Sequence, residues 1–174
     1  MAASALVVPL RLPPRLAAIR RREVAVARLG VPAHVTILSP FVDSARLDRR
    51  VVARIGEIVA RVPAFDVELA AVRRWPASDL GPGVVWLEPR PGQPFVALTR
   101  AIWAAFPDHP PYGREDDELE AHLTLAIDDP ARFDAVEAEA WRLVPFHRRV
   151  TIVALLVEDL DGRWRTRRRF PLGG

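Results

Sequence analysis

The chain contains no cysteine, and all 25 of its basic residues are arginines because lysine is missing as well. Without cysteine there is no disulfide, no thiolate nucleophile and no cysteine-bound zinc. Without lysine there is no Schiff-base chemistry, no P-loop lysine and no lysyl-adenylate of the kind an ATP-driven ligase forms. Long apolar runs are missing too: none approaches the roughly 18 residues of a membrane span. The apolar start, from Ala2 to Leu10, lacks a basic leader, contains Pro9 and runs into Arg11, so it does not read as a signal peptide. We expect a cytoplasmic protein, which the lack of cysteine also suits.

What is present is a chain of 174 residues, 50% hydrophobic and 27% charged, enough to bury a core without metal or covalent staples. The net charge is only +3, but it is unevenly spread. Residues 11–30 hold Arg11, Arg15, Arg20, Arg21, Arg22 and Arg28 against Glu23 alone, and residues 161–170 hold five arginines against Asp161. Residues 108–120 hold Asp108, Glu115, Asp116, Asp117, Glu118 and Glu120 against Arg114. Basic stretches suit an anionic partner; the plain alternative is a solvated face or a charged edge strand.

Hydrophobic periodicity predicts short strands alternating with helices. Strands are expected at 4–9, 33–38, 65–75, 84–88 and 121–127, with a closing hairpin of 150–158 and 163–170 around Asp161-Gly162. Helices are expected from Pro13-Pro14 to about Arg22, from Asp43 or Ser44 as cap through Val62, around 95–106, and from Pro130 to about Leu143. Mostly antiparallel neighbours make this an α+β protein.

The chemistry rests on two segments. Ala33-His34-Val35-Thr36-Ile37-Leu38 and Ala121-His122-Leu123-Thr124-Leu125-Ala126 both read His-apolar-Thr-apolar inside a predicted strand. With period two, His34 and Thr36 share one strand face, as do His122 and Thr124, while the apolar residues face a core. Imidazole gives or takes a proton near pH 7, so two rings on one cleft can divide general-acid and general-base work. Threonine hydroxyls, with arginines, favour a phosphate between them. The reaction that fits is in-line displacement at phosphorus, with no metal: no His-Glu-x-x-His motif or other metal-ligand spacing is present. At the ordinary imidazole pKa, near 6.5, the pH optimum falls close to neutrality.

The doubled His-x-Thr motif resembles the two-histidine (2H) phosphoesterase superfamily, in particular its 2′-5′ RNA ligase-like, LigT-type branch. Ala5-Leu6-Val7-Val8-Pro9-Leu10, Gly30 through Phe41, Val84-Val85-Trp86-Leu87-Glu88-Pro89, Pro110-Pro111-Tyr112-Gly113 and Trp164-Arg165 through Leu172 extend that resemblance over essentially the whole chain. It implies a single domain of two interleaved, pseudo-symmetric lobes. Each lobe would be an antiparallel sheet with outer helices, giving one motif strand to a central cleft. The implied activity is metal-independent hydrolysis of 2′,3′-cyclic phosphates on RNA ends or small cyclic nucleotides, with a reversible 2′-5′ joining reaction. The implied roles are His34 as proton donor, His122 as acceptor, and Thr36 and Thr124 holding phosphoryl oxygens. No cofactor and no obligate protein partner is implied, and we expect a monomer. Where the tRNA-processing subgroup often carries an arginine soon after the second motif, this chain reads Ala126-Ile127-Asp128-Asp129.

Phe41 and Tyr112 are placed as candidate base-stacking residues at the substrate, core packing being the alternative for each. His109 and His147 read as surface residues, and the five tryptophans mostly as core. A phosphate- or nucleotide-binding protein, or an RNA-binding one, of the same fold is the alternative to an enzyme; two titratable rings favour turnover.

Overall fold

In the computed structural model the described residues are 3–78, 81–113 and 119–174. Parts of the expected acidic loop and of the turn after the third strand therefore lie outside them.

The first strand, β1 (Ser4–Pro9), is buried on both faces rather than alternating. Leu6 and Val8 enter the main core, while Ala5 and Val7 join Val31, Ala154 and Leu156 in a second, smaller cluster. Pro14 opens α1 (Pro14–Glu23), where a missing N–H does no harm. A single turn, α2 (Ala25–Arg28), and the glycine at position 30 lead into β2 (His34–Leu38). Gly30 is required there: its φ is +101°, and a Cβ would lie 2.4 Å from the Trp164 carbonyl oxygen. The same contact region is tied by Trp164 N–H donating to the Leu29 carbonyl at 2.7 Å.

The next helix starts later than expected. Asp43 accepts from the Ala45 N–H, but it caps only a short 3-10 turn, Ser44–Arg46. Asp48 is the true cap of α3 (Arg49–Val59), its carboxylate accepting from the Val51 N–H at 2.8 Å. There follow β3 (Phe65–Trp75), β4 (Val84–Arg90), α4 (Gln93–Ala105), β5 (Leu123–Ile127) and α5 (Phe133–Trp141). The run expected as one strand from 150 is two. Phe146–Val150 forms β6 and Ile152–Glu158 forms β7, which pairs with β8 (Trp164–Pro171).

The strands make two four-stranded antiparallel sheets, ordered β2-β1-β7-β8 and β5-β4-β3-β6. Thr151 is where the chain leaves the second sheet for the first. The architecture is the expected α+β one, with two lobes. The motif strands β2 and β5 are each an edge strand of their sheet, and they lie against one another where the sheets meet. The helices interlock the halves: α1 packs on β5 and α4 on β2. One apolar core runs through both sheets, taking Val35 and Ile37 from β2 and Leu123 and Leu125 from β5. No described helix is long and apolar enough to cross a membrane.

The cap assignment is testable by thermal unfolding. Asp48→Ala should cost about 1 kcal/mol, or roughly 2–4 °C in Tm, for the lost N-cap. Asp43→Ala should cost less, since it frees only a single 3-10 turn; the reverse order would move the helix start back to residue 44.

Candidate active site

Alternation in β2 comes out as the motif demands. His34 and Thr36 are half-buried on one face, while Val35 and Ile37 are 1% exposed on the other. On the second sheet His122 lies one residue before β5 begins, with Leu123 and Leu125 fully buried and Thr124 half-buried. Apolar residues on the core face thus fix which way both rings turn.

Each ring is held in the same manner. The His34 Nδ1 is 2.7 Å from the Pro32 carbonyl oxygen, and the His122 Nδ1 is 2.9 Å from that of Glu120. A carbonyl only accepts, so Nδ1 carries the hydrogen in both, and the Nε2 nitrogens are left with their lone pairs. Neither Nε2 has a hydrogen-bond partner among the described residues. Two residues upstream, two residues downstream: each imidazole has a carbonyl behind it and a threonine on its face.

Tyr112 joins the two motifs. Its phenol lies by the Thr36 side chain, and its ring stacks on His122 with centroids 6.1 Å apart and planes 27° apart. It sits at φ 55°, ψ 20°, a left-handed conformation unusual for a bulky side chain. Its backbone N–H is anchored to the Ser39 carbonyl, just past β2, at 2.7 Å. Desolvation raises the phenol's pKa, although the residue as a whole is 48% exposed. Thr36 and Tyr112 also line a cavity of about 20 Å³ with Glu120 and Ala121, so the segments carrying the two motifs meet there.

Trp75 and Trp86 form the other side of the His122 pocket, their centroids 4.7 Å and 6.1 Å from its ring. Trp86 stands opposite Thr124 in the β4–β5 register. Its indole N–H is buried and has no acceptor among the described residues. The expectation that the tryptophans are mostly core holds for Trp86, which is 3% exposed, and fails for Trp141, which is 50% exposed.

Electrostatically the two rings resist protonation. Burial lowers the His34 pKa from 6.5 to about 4, and the Arg20 and His122 charges push it the same way against its bond to Pro32. Burial lowers that of His122 as well, against its bond to Glu120. The near-neutral expectation took unperturbed imidazoles; desolvation corrects it downward for the free protein.

Phe41 does not stack at the site. It is 5% exposed and packs in the core, edge-on to Phe106 at 5.1 Å and against His109 at 5.7 Å. It turns inward because Phe41 N–H is bonded to the Ser4 carbonyl, which carries the chain back over β1. His147 is at the surface on β6, 3.3 Å from Glu68. Of the C-terminal arginines, Arg165 pairs with Asp159, and Arg167 donates to the Ser44 and Leu47 carbonyls. These are structural uses.

Sequence reasoning missed Trp75, Trp86 and Arg20. No sequence signal marks the tryptophans, since their role follows from cross-strand register. Arg20 had one: it falls in the buried Leu16-Ile19-Arg20 stripe of α1, a helical spacing hidden inside a charge run.

The sequence profile of the 2′-5′ RNA ligase superfamily matches residues 8–162. Curated proteins give no match. Among solved structures, TT0787 of Thermus thermophilus is similar at TM-score 0.63 and 18% identity, over 100% of this chain and 99% of its own. E. coli LigT complexed with 3′-AMP is similar at TM-score 0.56 and 18% identity, over 99% of both chains. At such identities the likeness speaks for the fold. The profile covers most of the chain and both histidine motifs, and the chain belongs to the 2′-5′ RNA ligase superfamily.

Proposed function

We propose that this chain is a phosphodiesterase that opens 2′,3′-cyclic phosphates, on RNA ends or small cyclic nucleotides, with His34 and His122 as its acid–base pair. The observation that carries the reading is the matched tethering of the rings: Nδ1 bound to a carbonyl, Nε2 without a partner among the described residues, and a threonine on the same face. That E. coli LigT has been solved with 3′-AMP, with NADP+ and with phosphate supports a phosphate-bearing ligand here.

In the proposed step a water oxygen attacks phosphorus opposite one ribose oxygen of the cyclic diester. One imidazole Nε2 takes the water's proton as the new P–O bond forms. The other imidazole, protonated, gives its proton to the ribose oxygen as that P–O bond breaks. The products are a nucleoside 2′- or 3′-monophosphate and a pair of rings with their protonation exchanged, restored by solvent. Thr36 and Thr124 donate to the non-bridging oxygens.

His34→Ala and His122→Ala should each lower kcat on a 2′,3′-cyclic mononucleotide by roughly 10²–10⁴. Thr36→Val and Thr124→Val should lose less, about 1–3 kcal/mol of transition-state stabilisation. Because the rings serve one transition state, the double variant should lose less than the product of the singles. Full activity in either single histidine variant would overturn the assignment. Tight nucleotide binding with no turnover would favour a binding protein.

The pH profile follows from the lowered pKa values. In the free protein both rings release their protons below 6.5, so above that pH the acid is increasingly missing. The profile of kcat/KM should therefore be a bell with its optimum below pH 6.5, its limbs belonging to the pair jointly. A bound phosphate anion stabilises imidazolium, so kcat should peak at higher pH than kcat/KM. Neither transfer calls for a metal, and excess EDTA should leave the rate unchanged. An optimum above pH 7 in kcat/KM, or loss of turnover with EDTA, would contradict the scheme.

A further inference from the structure

Arg20 is 5% exposed, on the face of α1 that also buries Leu16 and Ile19. A buried guanidinium needs compensation. Glu23, three residues on, shows how this fold supplies it: its carboxylate side chain is 5% exposed and is held by Arg22 and Arg132. Arg20 has no such partner. Its one hydrogen bond is Nη1 donating to the Val31 carbonyl at 3.0 Å, and no carboxylate pairs with it among the described residues.

Its remaining donors belong to a residue that lines an open pocket of about 700 Å³. Arg11 and Arg21, both exposed, line it too, with Pro9, Val31 and Pro32 among the rest, and no carboxylate among the described residues contributes. The pocket adjoins the site without being the site. Pro9 stands opposite His34 in the β1–β2 register, and Pro32 is the residue whose carbonyl holds the His34 ring. Yet neither histidine and neither motif threonine lines it. The charge of Arg20 is nevertheless felt at His34. A concave surface with three cations, one of them buried and unpaired, beside a phosphate-handling imidazole is suited to a second phosphate.

We propose that this pocket receives a second phosphate of the substrate, one nucleoside removed from the phosphate at the histidines, with Arg20 as its principal ligand. The substrate is then a nucleotide carrying two phosphates: a cyclic phosphate at one end of the ribose and a phosphate monoester, or an upstream phosphodiester, at its 5′ side. The proposal rests on the cyclic-phosphate reading for the identity of the first phosphate. A guanidinium in place before binding loses little freedom when the anion arrives, so it serves specificity at small entropic loss.

Calorimetric titration with hydrolysis-inert products tests this separately from turnover. The probes are adenosine 2′-monophosphate, adenosine 2′,5′-bisphosphate, and a diadenylate ending in a 2′-phosphate. At least one two-phosphate probe should bind about tenfold tighter than the monophosphate, the worth of one charge-assisted contact. A preference for the bisphosphate identifies a terminal monoester, and a preference for the diadenylate an upstream diester. Arg20→Met should reduce the preference to less than about threefold, while Arg168→Met on β8, a control for general charge, should keep it. If Arg20→Met does not fold, the doubly substituted Arg11→Gln/Arg21→Gln protein, altered only at exposed positions, should weaken the preference instead. Equal affinities for all three probes in the wild-type protein would overturn the proposal, as would a preference that survives Arg20→Met. Turnover of cyclic phosphates with no such preference would sink this inference alone; a preference without turnover would sink the catalytic reading alone.

Discussion

A hydrogen bond from imidazole Nδ1 to a main-chain carbonyl two residues upstream, made once in each half of the molecule, organises everything around it. It fixes the tautomer of each ring, so Nε2 is the nitrogen available for chemistry. It also fixes ring direction, because the carbonyl belongs to the same rigid segment as the strand that follows. For His34 that segment is braced further, with Leu10 N–H bonded to the Ala33 carbonyl and Gly30 pressed against Trp164. The local bond would be of little use if the strands were free to move apart. They are held by the crossing of the helices, α1 onto β5 and α4 onto β2, which makes each motif strand part of the other half's packing.

Around the tethered rings, two different surroundings act in the same sense. At His122 the surroundings are aromatic: Trp75, Trp86 and Tyr112 exclude water and disfavour the imidazolium. At His34 the surroundings include a buried cation, Arg20, which disfavours it further. Both effects leave the rings neutral, with a buried guanidinium beside His34 that no carboxylate among the described residues pairs. An arriving phosphate reverses both at once, since it is the counter-ion that the imidazolium and the guanidinium lack. The arrangement therefore favours an anion over a neutral ligand before any chemistry begins.

The fold and the two motifs were legible because they are written in short-range pattern. Alternation around Val35 and Ile37, and around Leu123 and Leu125, reports directly which face is buried. Other features depend on distant neighbours. Phe146-His147-Arg148-Arg149-Val150 is too charged to read as a strand, yet it forms the edge strand of the second sheet opposite β5, where charge is tolerated. Asp43 and Asp48 are equally good caps in sequence, and the 3-10 turn between them decides the matter. Phe41 follows the first motif as a substrate-stacking residue would, but its surroundings, Phe106 and His109, come from a segment some 65 residues away and make it core. Tyr112 reads in the sequence as a candidate base-stacking residue; its stacking on His122 depends on the fold.

The most direct test of the two-histidine account is a crystal structure of the protein with a nucleoside 2′-monophosphate bound. The account predicts phosphoryl oxygens within about 3 Å of both Nε2 atoms and of the Thr36 and Thr124 hydroxyls. A phosphate that touches only one of the two rings, or that meets a ring through Nδ1, would contradict it.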